Sequence, residues 1–374
     1  MGSYQIWLGG KPADNGFYDR LLSLDVEESA DLPASLQLKL PVTRASDGEL
    51  TEVGDAALAP YASIAVTVTP PDGAPSCIFD GYVLSQKVHM QSGVRGAWVE
   101  VYAQDASWLM KLEQKTREWA GATDALAAAT IFGDYGITPA PENSQDDSGP
   151  YAEDAHTLMQ RGTDYDFLQA LARRAGRVMR IRCGATPGPR TGVFATPSLS
   201  GTPVATLRPN DTVAPNVREI DFEWDVMRPT EVLARQALLT DASPDGANGD
   251  SDSSGLAALD ERDLPTFAGR ALKVMLTGVA DDAGQLKRKA QALLRESQWF
   301  ARCNGSVELN ALKKVLRAGD IVQVETVGSL YSGKYLAWSV LHSIRPAAYT
   351  MTFQLVRNAM GPAPKGAGIF GGLL

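Results

Sequence analysis

The sequence predicts an α+β chain that is mainly β: two similar antiparallel β-barrels with a mixed α/β domain between them. Three observations carry this expectation. Apolar and polar residues alternate with a period of two in the first and last thirds, as half-buried strands require. Two stretches in the middle repeat their apolar residues at helical spacing. A segment starting at Asp80, DGYVLSQKVHMQSGVRGAWVEVYAQD, shares its plan with SGKYLAWSVLHSIRPAAYTMTFQLVRN starting at Ser332, which points to an internal repeat.

Taken in order, Leu36, Leu38 and Leu40 alternate with Gln37 and Lys39, Ile64, Val66 and Val68 with Ala65 and Thr67, and Val99, Val101 and Ala103 with Trp98, Glu100 and Tyr102. Gly, Pro and Asp turns separate these strands. A helix is expected around 123–132. A second is expected at 164–175, with Thr163 as its cap, Asp164 and Asp166 at its positive end, and Gly176 stopping it. Val178, Arg180 and Arg182 then alternate with Met179 and Ile181 as a strand. Residues 218–226 return to β, and an acidic stretch at 241–263 has the composition of a flexible insertion. A helix with Leu286, Ala290, Leu293, Leu294, Ser297 and Phe300 on one side follows, then four strands at 306–309, 321–327, 334–344 and 349–357. The expected domains are a first barrel at 1–105, a mixed middle domain at 106–215, a second barrel at 216–360 carrying a helical and acidic insertion at 240–302, and a flexible glycine-rich tail at 361–374.

Composition excludes several classes. The net charge is −9 and no basic run interleaves with aromatics, so a general nucleic-acid surface is not expected. Cys77, Cys183 and Cys303 are sparse, odd in number and far apart, which fits free thiols in a reducing compartment rather than a disulfide framework or zinc site. The N-terminus lacks the basic and apolar regions of a secretion signal, and Ile6 stands where a myristoylation motif needs Ser or Thr. No apolar run approaches the ~20 residues of a membrane span. Synthesis in the cytoplasm is the expectation.

Candidate chemistry is sparse. GSLYSGKY at 328–335 nearly matches a phosphate-binding loop, but Tyr335 replaces the magnesium-binding hydroxyl and a strand pattern follows where a helix is needed, so a turn is expected. DSDSSGLAALDE at 250–261 fits the EF-hand spacing through Asp250, Asp252, Ser254 and Glu261. SPDGANG before it cannot form the entering helix, so a solvated loop without calcium is expected. The histidines are His89, His156 and His342, and His89 and His342 fall at equivalent places in the repeat, which favours packing. Asp164 with Asp166 and Glu113 with Glu118 are the nearest approach to acid/base pairs, and helix capping explains the first. No catalytic residue, cofactor or metal ligand is assigned.

LRAGDIVQVETVGSLYSGKYLAWSVLHSIRPAAYTMTFQLVRNAMG at 316–361 resembles the closing barrel of phage tail hub proteins: the late-control protein D family, the gp27-like baseplate hub of phage T4, and the N-terminal part of VgrG. FDGYVLSQKVHM with WVEVYAQDASWLMKLEQKTREWAG resembles the first hub barrel and its exit, and QRGTDYDFLQALARRAG the helix of the middle domain. The likeness runs from about residue 30 to 360, carried by the order and spacing of segments. It implies a non-enzymatic baseplate hub of a contractile tail or injection particle. That hub would be a homotrimer joining a hexameric inner-tube ring to a separate spike protein, with tape-measure or baseplate wedge proteins as further partners. The alternatives from other classes are a cell-wall-degrading tail enzyme, which would need a paired carboxylate in a cleft, and a carbohydrate-binding tail module.

Overall fold

The structure is a computed structural model, and it describes residues 2–90, 96–144, 157–236, 247–276 and 283–362. Residues 145–150 of the polar segment TPAPENSQDDSGP, the residues after it through His156, the acidic residues 241–246 and the tail beyond 362 lie outside the described residues.

The first β region has six main strands: β1 (Ser3–Leu8), β2 (Ser23–Ser29), β3 (Ser35–Pro41), β4 (Ser63–Thr69), β5 (Ser76–His89) and β6 (Trp98–Asp105). Alternation sets their faces. Leu36, Leu38 and Leu40 are fully buried on one side of β3, as are Ile64, Val66 and Val68 in β4 and Val99, Val101 and Ala103 in β6.

The middle region holds two antiparallel pairs, β7 (Gln114–Glu118) with β8 (Met159–Thr163), and β9 (Val178–Cys183) with β10 (Arg190–Ala195). Helices α1 (Asp124–Asp134) and α2 (Asp164–Arg174) pack with them around Ile131, Phe132, Leu168, Leu171 and Phe194. Thr123 Oγ1 accepts the Leu126 N–H and Thr163 Oγ1 accepts the Asp166 N–H, so each helix begins at a side-chain cap. Gly176 ends α2 with a left-handed φ of 61°.

The second β region repeats the first with β11 (Ala205–Leu207), β12 (Glu219–Trp224), β13 (Ala301–Glu308), β14 (Ile321–Val324), β15 (Gly333–Arg345) and β16 (Ala348–Arg357). It thus begins before residue 216. Helix α3 (Ala283–Ser297) lies between β12 and β13 and buries Leu286, Ala290 and Leu294 against Val232 and Ala234.

Spatial order is the same in both regions: β2-β3-β6-β5-β4-β1 in the first and β12-β13-β16-β15-β14-β11 in the second. Each strand of the first corresponds to the strand ten numbers later. A β-bulge marks the same place in both, at Leu84 opposite Tyr102 and Ala103, and at Trp338 opposite Gln354 and Leu355. Beside the bulge, Tyr61 N–H donates to the Val83 carbonyl as Gly319 N–H donates to that of Ala337. One feature differs. β1 pairs antiparallel with β4, whereas β11 pairs parallel with β14.

The mainly β, α+β class is as expected, but closed barrels do not appear among the described residues. β15 is long enough to serve two partners: Gly333 to Leu336 pair with β14, and Ser339 to Ile344 pair antiparallel with β2. The two regions therefore join into one open thirteen-stranded sheet, including the short strand Lys11–Pro12, over a shared core from Ile6 to Leu355.

Candidate functional site

The site with the most unusual electrostatics lies where the three regions meet. Glu28 follows Leu24 and Val26 on the core face of β2, and Arg317 sits on the turn before β14. The Arg317 guanidinium donates from Nε to Glu28 Oε2 and from a terminal nitrogen to Oε1, each at 2.6 Å. It also donates to Ser76 Oγ at 3.0 Å and to Cys183 Sγ of the middle region at 3.4 Å. One side chain thus ties both β regions and the middle region together.

His342, wholly buried in β15, places Nε2 3.5 Å from Glu28 Oε2 and Nδ1 2.9 Å from the Tyr349 hydroxyl. Burial raises the Glu28 carboxyl, but the Arg317 charge and the contact with His342 outweigh it and hold the group at about 2. Burial lowers His342 more than Glu28 raises it, which favours the neutral imidazole. Asp320 accepts the Arg317 backbone N–H at 2.8 Å, yet its own burial pushes it up to about 6. Burial likewise lowers Arg180 to about 10; its guanidinium donates to the Ala318 carbonyl.

Glu28 and Asp320 are two carboxylates with pKa values pushed apart, the arrangement an acid/base pair requires. They border a cavity of about 130 Å³, also lined by Arg180, Cys183 and Arg317. Pockets that hold small ligands are about 300–1,000 Å³, and a polysaccharide needs an open cleft. Both Glu28 oxygens are already engaged by Arg317. The arrangement suits a structural clamp.

A second clamp binds the middle region to the first β region. Arg190 of β10 meets Asp80 of β5 with two nitrogens, at 3.2 and 2.8 Å, and reaches the Tyr82 hydroxyl at 3.0 Å. The bidentate fork fixes orientation as well as distance.

The residues singled out in the sequence are not brought together. Asp250 accepts the Ala234 N–H at 2.7 Å and pairs with Arg235 at 3.1 Å. Ser254 is buried and its hydroxyl accepts the Leu256 N–H, while the Glu261 N–H donates to Asp260. Among the described residues, no group of three or more His, Cys, Asp or Glu side chains is placed to hold a metal. Asp164 departs from the capping role. It is buried and accepts from Lys115 at 2.6 Å, Gln160 at 2.6 Å and Tyr135 at 2.7 Å, while Asp166 takes the Thr163 hydroxyl. Gly328–Tyr331 is a single helical turn followed directly by β15, which agrees with a turn rather than a phosphate loop. The Glu28–Arg317 clamp was not foreseen. Its signal was the sequence LDVEE, whose alternation puts Glu28 on the face of Leu24 and Val26.

The family described as the Alg8 N-terminal domain matches residues 4–346. The chain belongs to this family. Its fold is also similar to solved tail proteins. The tail protein from Neisseria meningitidis MC58 superposes with a TM-score of 0.65 at 15% identity, covering 96% of this chain and 97% of that one. The 43 kDa tail protein of prophage MuSo2 from Shewanella oneidensis gives 0.64 at 13% identity, over 96% and 100% of the two chains. The E. coli c3393 protein, described as a type VI secretion component with structural similarity to T4 bacteriophage tail proteins gp27 and gp5, gives 0.55 at 11%, over 92% and 76%. No curated protein matches the sequence. This family member thus has the fold of phage tail and type VI secretion proteins. Among its described residues no helix is long and apolar enough to cross a membrane.

Proposed function

We propose that the chain is a structural hub of a contractile phage-like tail or injection particle, without catalytic activity of its own. It forms a homotrimer in the baseplate, starts the hexameric inner tube on one face and carries a separate trimeric spike on the other. Tape-measure and wedge proteins are further neighbours. The observation that supports this reading is the duplicated six-strand unit, with the same strand order and the same bulge in both copies. Three chains carrying two such units each present six similar elements to a six-membered ring while keeping three-fold symmetry elsewhere, as closed cyclic assemblies require. The small cavity at Glu28 and Asp320, with both Glu28 oxygens engaged by Arg317, supports a structural role over a wall-degrading one.

Native mass spectrometry of the chain, alone and with its spike protein, should show a trimer, and the trimer should co-sediment with tube protein. Release of soluble fragments from peptidoglycan by the isolated chain would overturn the non-enzymatic reading. A stoichiometry other than three would overturn the hub reading.

A further inference from the structure

The duplication leaves one edge filled in the second unit and its counterpart unfilled in the first. In β15, the stretch after the bulge pairs with β2 along its outer edge, from Ser339 with Ser29 to Ile344 with Leu24. In β5, the corresponding stretch begins at Ser85, and among the described residues no strand pairs with its outer edge. Ser85, Gln86 and Lys87 are exposed there. The converse holds for the partner. β2 lies between β3 and β15, whereas its counterpart β12 pairs only with β13 among the described residues. Glu219, Asp221, Glu223 and Trp224 of β12 are exposed.

We infer that the outer edge of β5 takes β12 from a second copy of this chain, in the antiparallel register that β15 and β2 use within one chain. The inference rests on the hub reading above and names the contact through which its ring closes.

The register follows from the two units themselves. The bulges equate Val83 with Ala337 and Ser85 with Ser339, so Lys87, Val88 and His89 stand where Leu341, His342 and Ser343 stand. Across the sheet, Ala103 leads through Leu36 to Val26, and Leu355 leads through Cys303 to Phe222, so Phe222 stands where Val26 stands. The within-chain pair His342 with Val26 therefore becomes Val88 with Phe222 between chains. The flanking pairs become Lys87 with Glu223 and His89 with Asp221, the first of them opposite in charge.

Both partners are half-finished surfaces. Val88 and Phe222 are only half-buried in the single chain, where their counterparts Val26 and His342 are fully buried. The Ala30 N–H closes the within-chain junction on the Trp338 carbonyl at 2.8 Å, and the equivalent donor and acceptor are Val226 N–H and the Leu84 carbonyl. Unpaired edges invite indiscriminate pairing unless they are covered. Here one chain bears an edge and a strand that match each other and that its own topology cannot join. Each chain then gives one strand and receives one, a head-to-tail contact that closes into a ring.

The test reverses the charges: Lys87→Glu, Glu223→Lys, and the two combined, each followed by native mass spectrometry and sedimentation over a concentration series. Opposed like charges across a strand pair weaken it, so each single variant should raise the concentration of half-assembly by about five-fold or more, and the combined variant should restore the wild-type value. Circular dichroism of the monomer should be unchanged in all three. If the wild type assembles and both single variants assemble equally well, the strand pairing is overturned and the hub reading stands. If the wild type remains monomeric throughout the series, both fall.

Discussion

Glu28 and Arg317 show how a single buried pair can organise a large chain. Taking two charges out of water is costly, and the fork-to-carboxylate geometry with Ser76 and Cys183 offsets that cost. Removing one partner leaves the other buried and uncompensated, so Glu28→Gln should destabilise the fold by about 3–5 kcal/mol in denaturant unfolding. The pH dependence has a definite sign. Glu28 is depressed to about 2, so its contribution is present above the ordinary glutamate value and is lost as pH falls through the folded value. The deficit of Glu28→Gln should be largest at neutral pH and shrink toward pH 2. Asp320 acts in the opposite sense. Its folded value is raised to about 6, so the fold binds its proton more tightly than the unfolded chain does, and stability falls as pH rises through that value. Asp320→Asn should therefore melt higher than wild type at pH 8, with the advantage gone by pH 4. Equal melting temperatures at both pH values would contradict this account of the site.

At the scale of strands and helices, close backbone approach constrains the sheet. A Cβ on Gly81 in β5 would collide with the Gln104 carbonyl of β6 and with the Phe79 ring. Neither can move cheaply within a paired sheet, so Gly81→Ala should cost about 1–3 kcal/mol, read as a lowered unfolding midpoint with unchanged slope. A neutral Gly81→Ala would mean that β5 and β6 separate more readily than their pairing implies. Much of this level was legible in the sequence. Alternation in β3, β4 and β6 gave strand and buried face together, because one side of each faces the core. The cap at Thr163 gave the start of α2, and α1 begins where it was expected, with Thr123 as a cap that had not been singled out. The repeat around Asp80 and Ser332 gave the two hairpins, but its histidines are one residue out of step. His89 aligns with Ser343 and stacks on Trp98, while His342 aligns with Val88 and is buried on Glu28. Both units carry the bulge at the same place, and that fixes the true register; a shared order of residue types does not define it to one residue. Asp164 was misread for a related reason: local spacing indicates a helix N-terminus, whereas its partners Lys115 and Tyr135 arrive from 49 and 29 residues away.

At the scale of the whole molecule, the decisive contact is β15 with β2, and no local pattern could have announced it. Alternation specifies that a strand has one buried face; it does not specify which edge meets which. The expectation of two separate barrels followed from the duplicated pattern, and the structure merges them because β15 has an edge left over beyond β14. The consequence is energetic. Leu24, Val26, Val340 and Ile344 belong to one core with Ile6 and Leu355, so neither β region completes its core alone. Small units that leave apolar faces uncovered are marginal, since burial barely offsets the entropy of ordering the chain. A fragment of residues 1–105 should therefore lack a cooperative thermal transition, and so should a fragment of residues 205–360. Mixed together, the two should regain one, because β15 and β2 can then pair in trans. The full chain should protect the amides of β2 and β15 equally in hydrogen exchange, as strands of one cooperative unit. A sharp melt from the isolated 1–105 fragment would show instead that the duplicated units fold independently and that the shared sheet only docks them.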